Sequence, residues 1–212
     1  MTKTITRLFD DYNDATVAVR ELEAAGISHD DISIVANNAD GRHHADGHAG
    51  LDDNVNAEGD VSRGTSTGAM LGGAGGLLAG LGLLAIPGLG PIVAAGWLAA
   101  TAAGAGIGAA GGAATGGLVG ALKNAGHSDE DADVYSEGVR RGGTLVSAKV
   151  PDGETDRVEA ILHRHRSVDA TTRGASYRET GWTRFDADAP AYTRDEMDRE
   201  RGTLAGSDTL RL

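Results

Sequence analysis

Cysteine is absent from the 212 residues. That excludes disulfides, thiolate metal sites and cysteine nucleophiles, and it fits a reducing compartment. Aromatic residues make up only 4%, so a large mixed core is excluded and the apolar residues must be concentrated in a few places. Positive charge is in deficit: 19 Lys and Arg stand against 31 Asp and Glu, a formal net charge of -12. A chain so acidic repels a polyanion, so nucleic acid is not expected as a main partner. The opening MTKTITRLFDDYND has no apolar stretch after its basic residues and does not read as a secretory signal. Proline is scarce at 4 residues, whereas glycine is abundant at 33, mostly inside an uncharged run from Gly64 to Leu122.

Around that run the chain reads as ordinary α+β sequence. TKTITRLF (2–9) has the alternation and β-branching of a strand. Asp11 or Asp14 can cap a helix through Ala25, with Ala15, Ala18, Val19, Leu22 and Ala25 near i, i+3, i+4, i+7 spacing and Gly26 as its stop. DISIVA (31–36) reads as a second strand. After the glycine-rich run, Ser128 with Asp131 three residues later resembles a capping box. The helix it opens carries Ala132, Tyr135 and Val139 and ends at Gly142-Gly143. TLVSAKV (144–150) alternates like a strand, Val158, Ile161, Leu162 and His165 mark a helix, and VDATTR (168–173) reads as a last strand. Two β-α-β units of this kind, each too small to bury its own core, suit a four-stranded antiparallel, ferredoxin-like sheet with two helices on one face.

The implied organisation has five parts: a first β-α-β half (1–36), a polar acidic linker (37–63), a Gly/Ala-rich apolar helical hairpin (64–122), a helix with the second β-α-β half (123–173), and a polar, flexible tail (174–212). The fold class is thus α+β, a ferredoxin-like sheet interrupted by a glycine-zipper hairpin.

The hairpin expectation rests on spacing. Gly64, Gly68, Gly72, Gly76 and Gly80 step by four before the AIPGLGP turn, and Gly104, Gly108, Gly112, Gly116 and Gly120 step by four after it. On helices such ladders strip side-chain bulk from one face and permit close backbone packing. Pro87, Gly88, Gly90 and Pro91 supply the break between the two arms. A flexible linker would use Ser and polar residues between its glycines, not Ala, Leu, Ile and Val. Gly104-Ala-Gly106-Ile-Gly108-Ala109 matches a dinucleotide fingerprint in form, but it follows an apolar helix pattern rather than a strand. Both arms are long enough for a bilayer span of about 20 residues, and Arg63 and Lys123 would mark the cytoplasmic side. The expectation is therefore a hairpin in the inner (cytoplasmic) membrane with the α+β domain in the cytoplasm. The alternative is a cytoplasmic homo-oligomer whose hairpins form a shared helical core.

GISHDDISIVA, the block around AIPGLGP, and SDEDADVYSEGVRRGGTLVSAKV resemble, in that order, bacterial general stress proteins of the 17M-like (heat-induced stress protein) family. The resemblance covers roughly residues 3–173, and EGVRRGGTLVS with AIPGLGP is its most specific part. It implies stress-induced expression, often a membrane-type description, and no established enzymatic activity. It supplies no catalytic residues.

Other chemistry is sparse. His43, His44 and His48 with Asp46 lie within seven residues, and imidazoles favour zinc, nickel or copper. Their spacing matches no recognised ligand pattern, and a solvated loop is the plainer reading. His163 and His165 point to different helix faces. Arg140-Arg141 at a helix end can cap carbonyls, or can meet a lipid head group or the acidic tail. No elbow such as G-x-S-x-G singles out a nucleophile. The expectation is a non-enzymatic stress-response protein with no cofactor, no metal and no identified small-molecule substrate, whose partners are membrane lipid, other copies of itself, or both.

Overall fold

A computed structural model of the chain describes residues 2–39, 41, 82–86, 88–107 and 117–209. These residues form a mixed α+β fold built on one five-stranded antiparallel sheet, with strand order β1-β5-β2-β4-β3. The strands are β1 (Thr2–Phe9), β2 (Ile32–Asn37), β3 (Gly82–Ile86), β4 (Gly90–Gly96) and β5 (Thr144–Pro151). The helices are α1 (Tyr12–Ala24), α2 (Trp97–Ile107), α3 (Gly117–Asn124), α4 (Asp129–Arg140), α5 (Thr155–Arg164), α6 (Ala170–Glu179) and α7 (Arg194–Thr209).

Strand alternation sorts side chains onto two faces. Ile5, Phe9, Ile32, Ile34, Val146, Ala148 and Val150 point one way, onto Ala15, Ala18, Val19 and Leu22 of α1 and Val158, Ile161 and Leu162 of α5. Leu8, Val35 and Leu145 point the other way, onto α2, α3, α4 and α6. The caps are side-chain caps: Asp11 accepts from Asn13 N–H at 2.7 Å, and Ser128 from Asp131 N–H at 3.1 Å. Each satisfies a donor that the first turn of a helix leaves free.

Three expectations are corrected. The residues on either side of AIPGLGP are strands, not helices: β3 and β4 pair with each other, and β4 pairs with β2. Ile92 and Val93 are β-branched, which favours a pleated surface. Gly96, at φ +87°, ends β4 so close to β2 that a Cβ there would sit 2.2 Å from the Ile32 carbonyl oxygen. The turn itself lies where expected, with Gly88 and Gly90 in the left-handed region and Leu89 N–H bonded to Ile86 C=O at 3.0 Å. Secondly, the membrane-spanning hairpin is overturned. No helix among the described residues is long and apolar enough to cross a membrane; α2 has 11 residues and α3 has 8, against the roughly 20 a span needs. The expected inner-membrane location loses its anchor with it. Thirdly, 168–173 is not a strand. It contributes one bridge, Val168 to Leu8, after which Asp169 caps α6 by accepting from Thr172 N–H at 2.7 Å.

Of the ladder glycines, Gly104 lies in α2 and Gly120 in α3, and these two helices pack together. Gly64, Gly68, Gly72, Gly76, Gly80, Gly108, Gly112 and Gly116 lie outside the described residues, as do Pro87, His43, His44 and His48.

Candidate functional site: two sheet edges and a strapped arginine pair

An antiparallel sheet that does not close on itself has two edges, and an edge exposes unpaired backbone donors and acceptors. The first edge is β1. Leu8 and Val168 exchange both main-chain bonds, at 2.9 and 2.8 Å, which begins an antiparallel ladder. The next such pair outward along β1 would join Thr6 to Ala170. A tyrosine takes its place: the Tyr135 hydroxyl donates to Thr6 C=O at 2.7 Å and accepts from Ala170 N–H at 3.3 Å. The wedge satisfies both groups while holding α6 away from the sheet. Burial pushes the Tyr135 hydroxyl up to about 12, so it stays protonated and able to donate across the physiological range.

Beyond the wedge lies a cleft of about 480 Å³, lined by β1 from Thr2 to Arg7, by His127, Asp131 and Tyr135, and by Asp169, Ala170 and Thr171. Because Leu8 bonds outward, Thr2, Thr4 and Thr6 also direct their N–H and C=O groups away from β5 and towards this cleft. At its inner wall a polar chain runs from His127 Nε2 to Thr6 Oγ1 at 2.7 Å and on to Ser147 Oγ at 2.9 Å. Burial holds the His127 imidazole below its ordinary value, with the Asp131 charge opposing, and its ring meets Tyr135 edge-on at 5.7 Å.

A histidine beside a hydroxyl has the parts of a base and a nucleophile. Here Thr6 is 2% exposed and Ser147 is fully buried, so the two hydroxyls sit within the cleft's inner wall. No group of three or more metal-ligating side chains occurs among the described residues.

The second edge is β3, GLLAI, which carries no charge and no proline. Leu84 and Ile86 pack inward against the cluster that includes α3, while Leu83 points out at 65% exposed. No described strand pairs with its outer side.

Between the edges, the C-terminal segment straps the sheet's end. Glu137 is fully buried, and its Oε1 accepts from Arg140 Nη2 at 2.8 Å and Arg141 Nε at 2.7 Å. Arg141 also donates to Glu200 of α7 at 2.7 Å and stacks over Tyr177 at 4.2 Å. Arg140 lies 5.2 Å from the Tyr192 ring and 5.8 Å from Phe185. Burial opposes the charge on Arg141, but hydrogen bonds to Glu200 and Glu137 outweigh it and raise its affinity for the proton. Of the readings open for this pair, the acidic-tail contact is the one observed. Capping of the α4 end falls to Asn37, whose Nδ2 reaches Val139 C=O at 3.1 Å. The strap also crosses the β3–β4 turn: a Cβ on Gly88 would sit 2.8 Å from Ala187.

Sequence reasoning did not find the Tyr135 wedge or the buried Glu137. Tyr135 was legible only as part of an apolar stripe, and E-G-V-R-R carries no mark of which charge goes inside. Compared with family models, with curated proteins and with solved structures, the chain matches none of them.

Proposed function

We propose that this chain is a non-catalytic protein of the general stress response that works by associating with copies of itself, through the β3 edge. One observation carries the reading: β3 is an uncharged, apolar strand whose outer side no described strand covers, with Leu83 at 65% exposed. Natural edge strands are usually blunted by charge, proline or bulges, and GLLAI has none of these features. A second β3, running antiparallel, would continue the ladder and bring the two Leu83 side chains out of water. The stress assignment is supported by the resemblance around EGVRRGGTLVS and AIPGLGP.

The core carrying this edge reads as ferredoxin-like. In support, β1-α1-β2 and β5-α5 give the central strand order β1-β5-β2, both helices pack on one face, and Val168 stands where a fourth strand would begin. In that view β4 and β3 extend the sheet beyond the core.

Light scattering on the full chain during size-exclusion chromatography tests the proposal. The expected result is a mass of two or more chains, falling towards one chain in Leu83→Lys. An unchanged mass in that variant would assign assembly to another surface, and a monomeric parent chain would sink the reading.

A further inference from the structure

We propose that the cleft beside β1 is a second docking site, distinct from the β3 edge, which takes an extended peptide segment of a partner protein by main-chain pairing and prefers a basic side chain on one face of that segment. The main chain supplies the first argument. Leu8 and Val168 start a ladder that the chain itself abandons two residues later, because Tyr135 intercepts Thr6 C=O and Ala170 N–H. Past that interception, Thr2 and Thr4 still present outward N–H and C=O groups in strand geometry, over a cleft of about 480 Å³. A strand added to a sheet edge gains affinity from such groups and specificity from alternate side chains. Tyr135 keeps the site open by blocking the protein's own fourth strand.

The cleft walls supply the second argument. Residues in hydrogen-bonded pairs of an antiparallel ladder share a face, so a guest residue opposite Thr2 or Thr4 points to the side on which Thr6 meets His127, near Asp131. Asp131 lines the cleft there, and Asp169, the cap of α6, lines it next to Val168. Burial keeps His127 from adding a compensating positive charge at neutral pH. Guest residues of the other parity face Lys3, the buried Ile5, and Arg7, which pairs with Glu159 at 3.7 Å and also donates from Nη1 to Thr6 C=O at 3.2 Å, beside the Tyr135 hydroxyl. Lys or Arg on the first face and an aliphatic residue on the second is the matching pattern. A chain of net charge -12 favours a basic partner in the same sense.

The test uses the full chain and a defined probe, the blocked heptapeptide Val-Lys-Val-Lys-Val-Lys-Val. Two controls accompany it: the same peptide with Glu for Lys, and the same peptide N-methylated at the Lys residues. Backbone amide shifts and hydrogen exchange at Thr2, Thr4 and Thr6 are followed through each titration. The expected result is saturable binding of the Lys peptide, protection of the Thr4 amide, and binding at least about tenfold weaker for both controls. Thr4→Pro is the decisive variant. Proline is tolerated on an edge strand where the N–H faces outward, so the fold and its pairing with β5 should persist while affinity falls about tenfold or more. Leu83→Lys should bind the peptide as the parent does, which separates this site from self-association.

No shift at Thr4 up to about 1 mM peptide would overturn the proposal. So would undiminished binding by the N-methylated peptide or by a folded Thr4→Pro. Equal binding of the Glu peptide would remove the basic preference. Protection of Thr4 on raising protein concentration without peptide would assign the cleft to a second copy instead.

Discussion

The two faces of the sheet are built from the same five strands by different means. The α1/α5 face is dry: Ile5, Phe9, Ile32, Ile34, Val146 and Val150 meet Val19, Leu22, Val158 and Leu162, and every one of these is 3% exposed or less. The opposite face buries Thr6, Ser33, Asn37 and Ser147 from the strands, with Glu137, Arg140 and Arg141 above them. The buried polar side chains of the strands there are held by particular partners, as with Ser33 Oγ to Ala95 C=O at 2.8 Å and Asn37 Nδ2 to Leu89 C=O at 3.3 Å. A dry face tolerates exchange of one aliphatic residue for another, because hydrophobic burial is non-directional. A polar face loses the desolvation cost of whatever its partner leaves behind. The difference also places function. The open cleft and the C-terminal strap both belong to the polar side, where Tyr135 and the arginine pair reach past the sheet's boundary.

The largest expected break of this contrast is Glu137→Ala. It leaves two nearly buried guanidinium groups without their shared carboxylate, and urea unfolding should register a loss of about 3–5 kcal/mol. Loss of the α7 signals at the same time would tie the strap to this charge. On the dry face, Leu22→Ala should cost about 2–5 kcal/mol by cavity formation, whereas Ile34→Val should cost only about 0.5–1.5 kcal/mol. A graded response there, beside an abrupt one at Glu137, is the pattern that distinguishes the faces. Tyr135→Phe strands Ala170 N–H and leaves Thr6 C=O with only its bond from Arg7 Nη1 at 3.2 Å, with an expected loss of about 1–3 kcal/mol in the same assay.

A smaller effect is set by pH. The folded state holds His127 below its ordinary value through burial, so the neutral form is favoured on folding. Its contribution to stability is complete above the unfolded value of about 6.5 and is lost as pH falls below that. Thermal melts between pH 7.5 and 5 should show a decline on acidification that is shallower in His127→Gln. The smallest effect belongs to exposed ion pairs: Lys123→Ala, which removes the 2.9 Å contact to Asp129, should change stability by less than about 1 kcal/mol.

How much of this was legible follows the same divide. The spacing of Ala15, Ala18, Val19 and Leu22 announced α1 and its buried stripe, and the alternation of TLVSAKV announced β5. Periodicity reports burial faithfully where apolar residues do the burying. It fails in three places for separate physical reasons. In GLLAIPGLGPIVAAG nearly every residue is small or apolar, so neither helical nor strand period stands out. Register against β2, a long-range contact, decides for strand. In VDATTR the β-branched residues suggested a strand, but Asp169 offers a cap and the helix begins at Ala170. In EGVRRGG the identity of the buried charge depends on residues more than fifty positions away, Glu200 among them. The cleft was invisible to sequence because it arises from one hydroxyl placed between two backbone groups.

Sedimentation velocity on the full chain over a range of concentrations, beside Leu83→Lys, tests self-association through β3. The expected result is a parent species of two or more chains, and a variant that sediments as a single chain while its circular dichroism and melting temperature stay at the parent values. A parent chain that remains monomeric at the highest concentration, or a folded Leu83→Lys that assembles as the parent does, would contradict it.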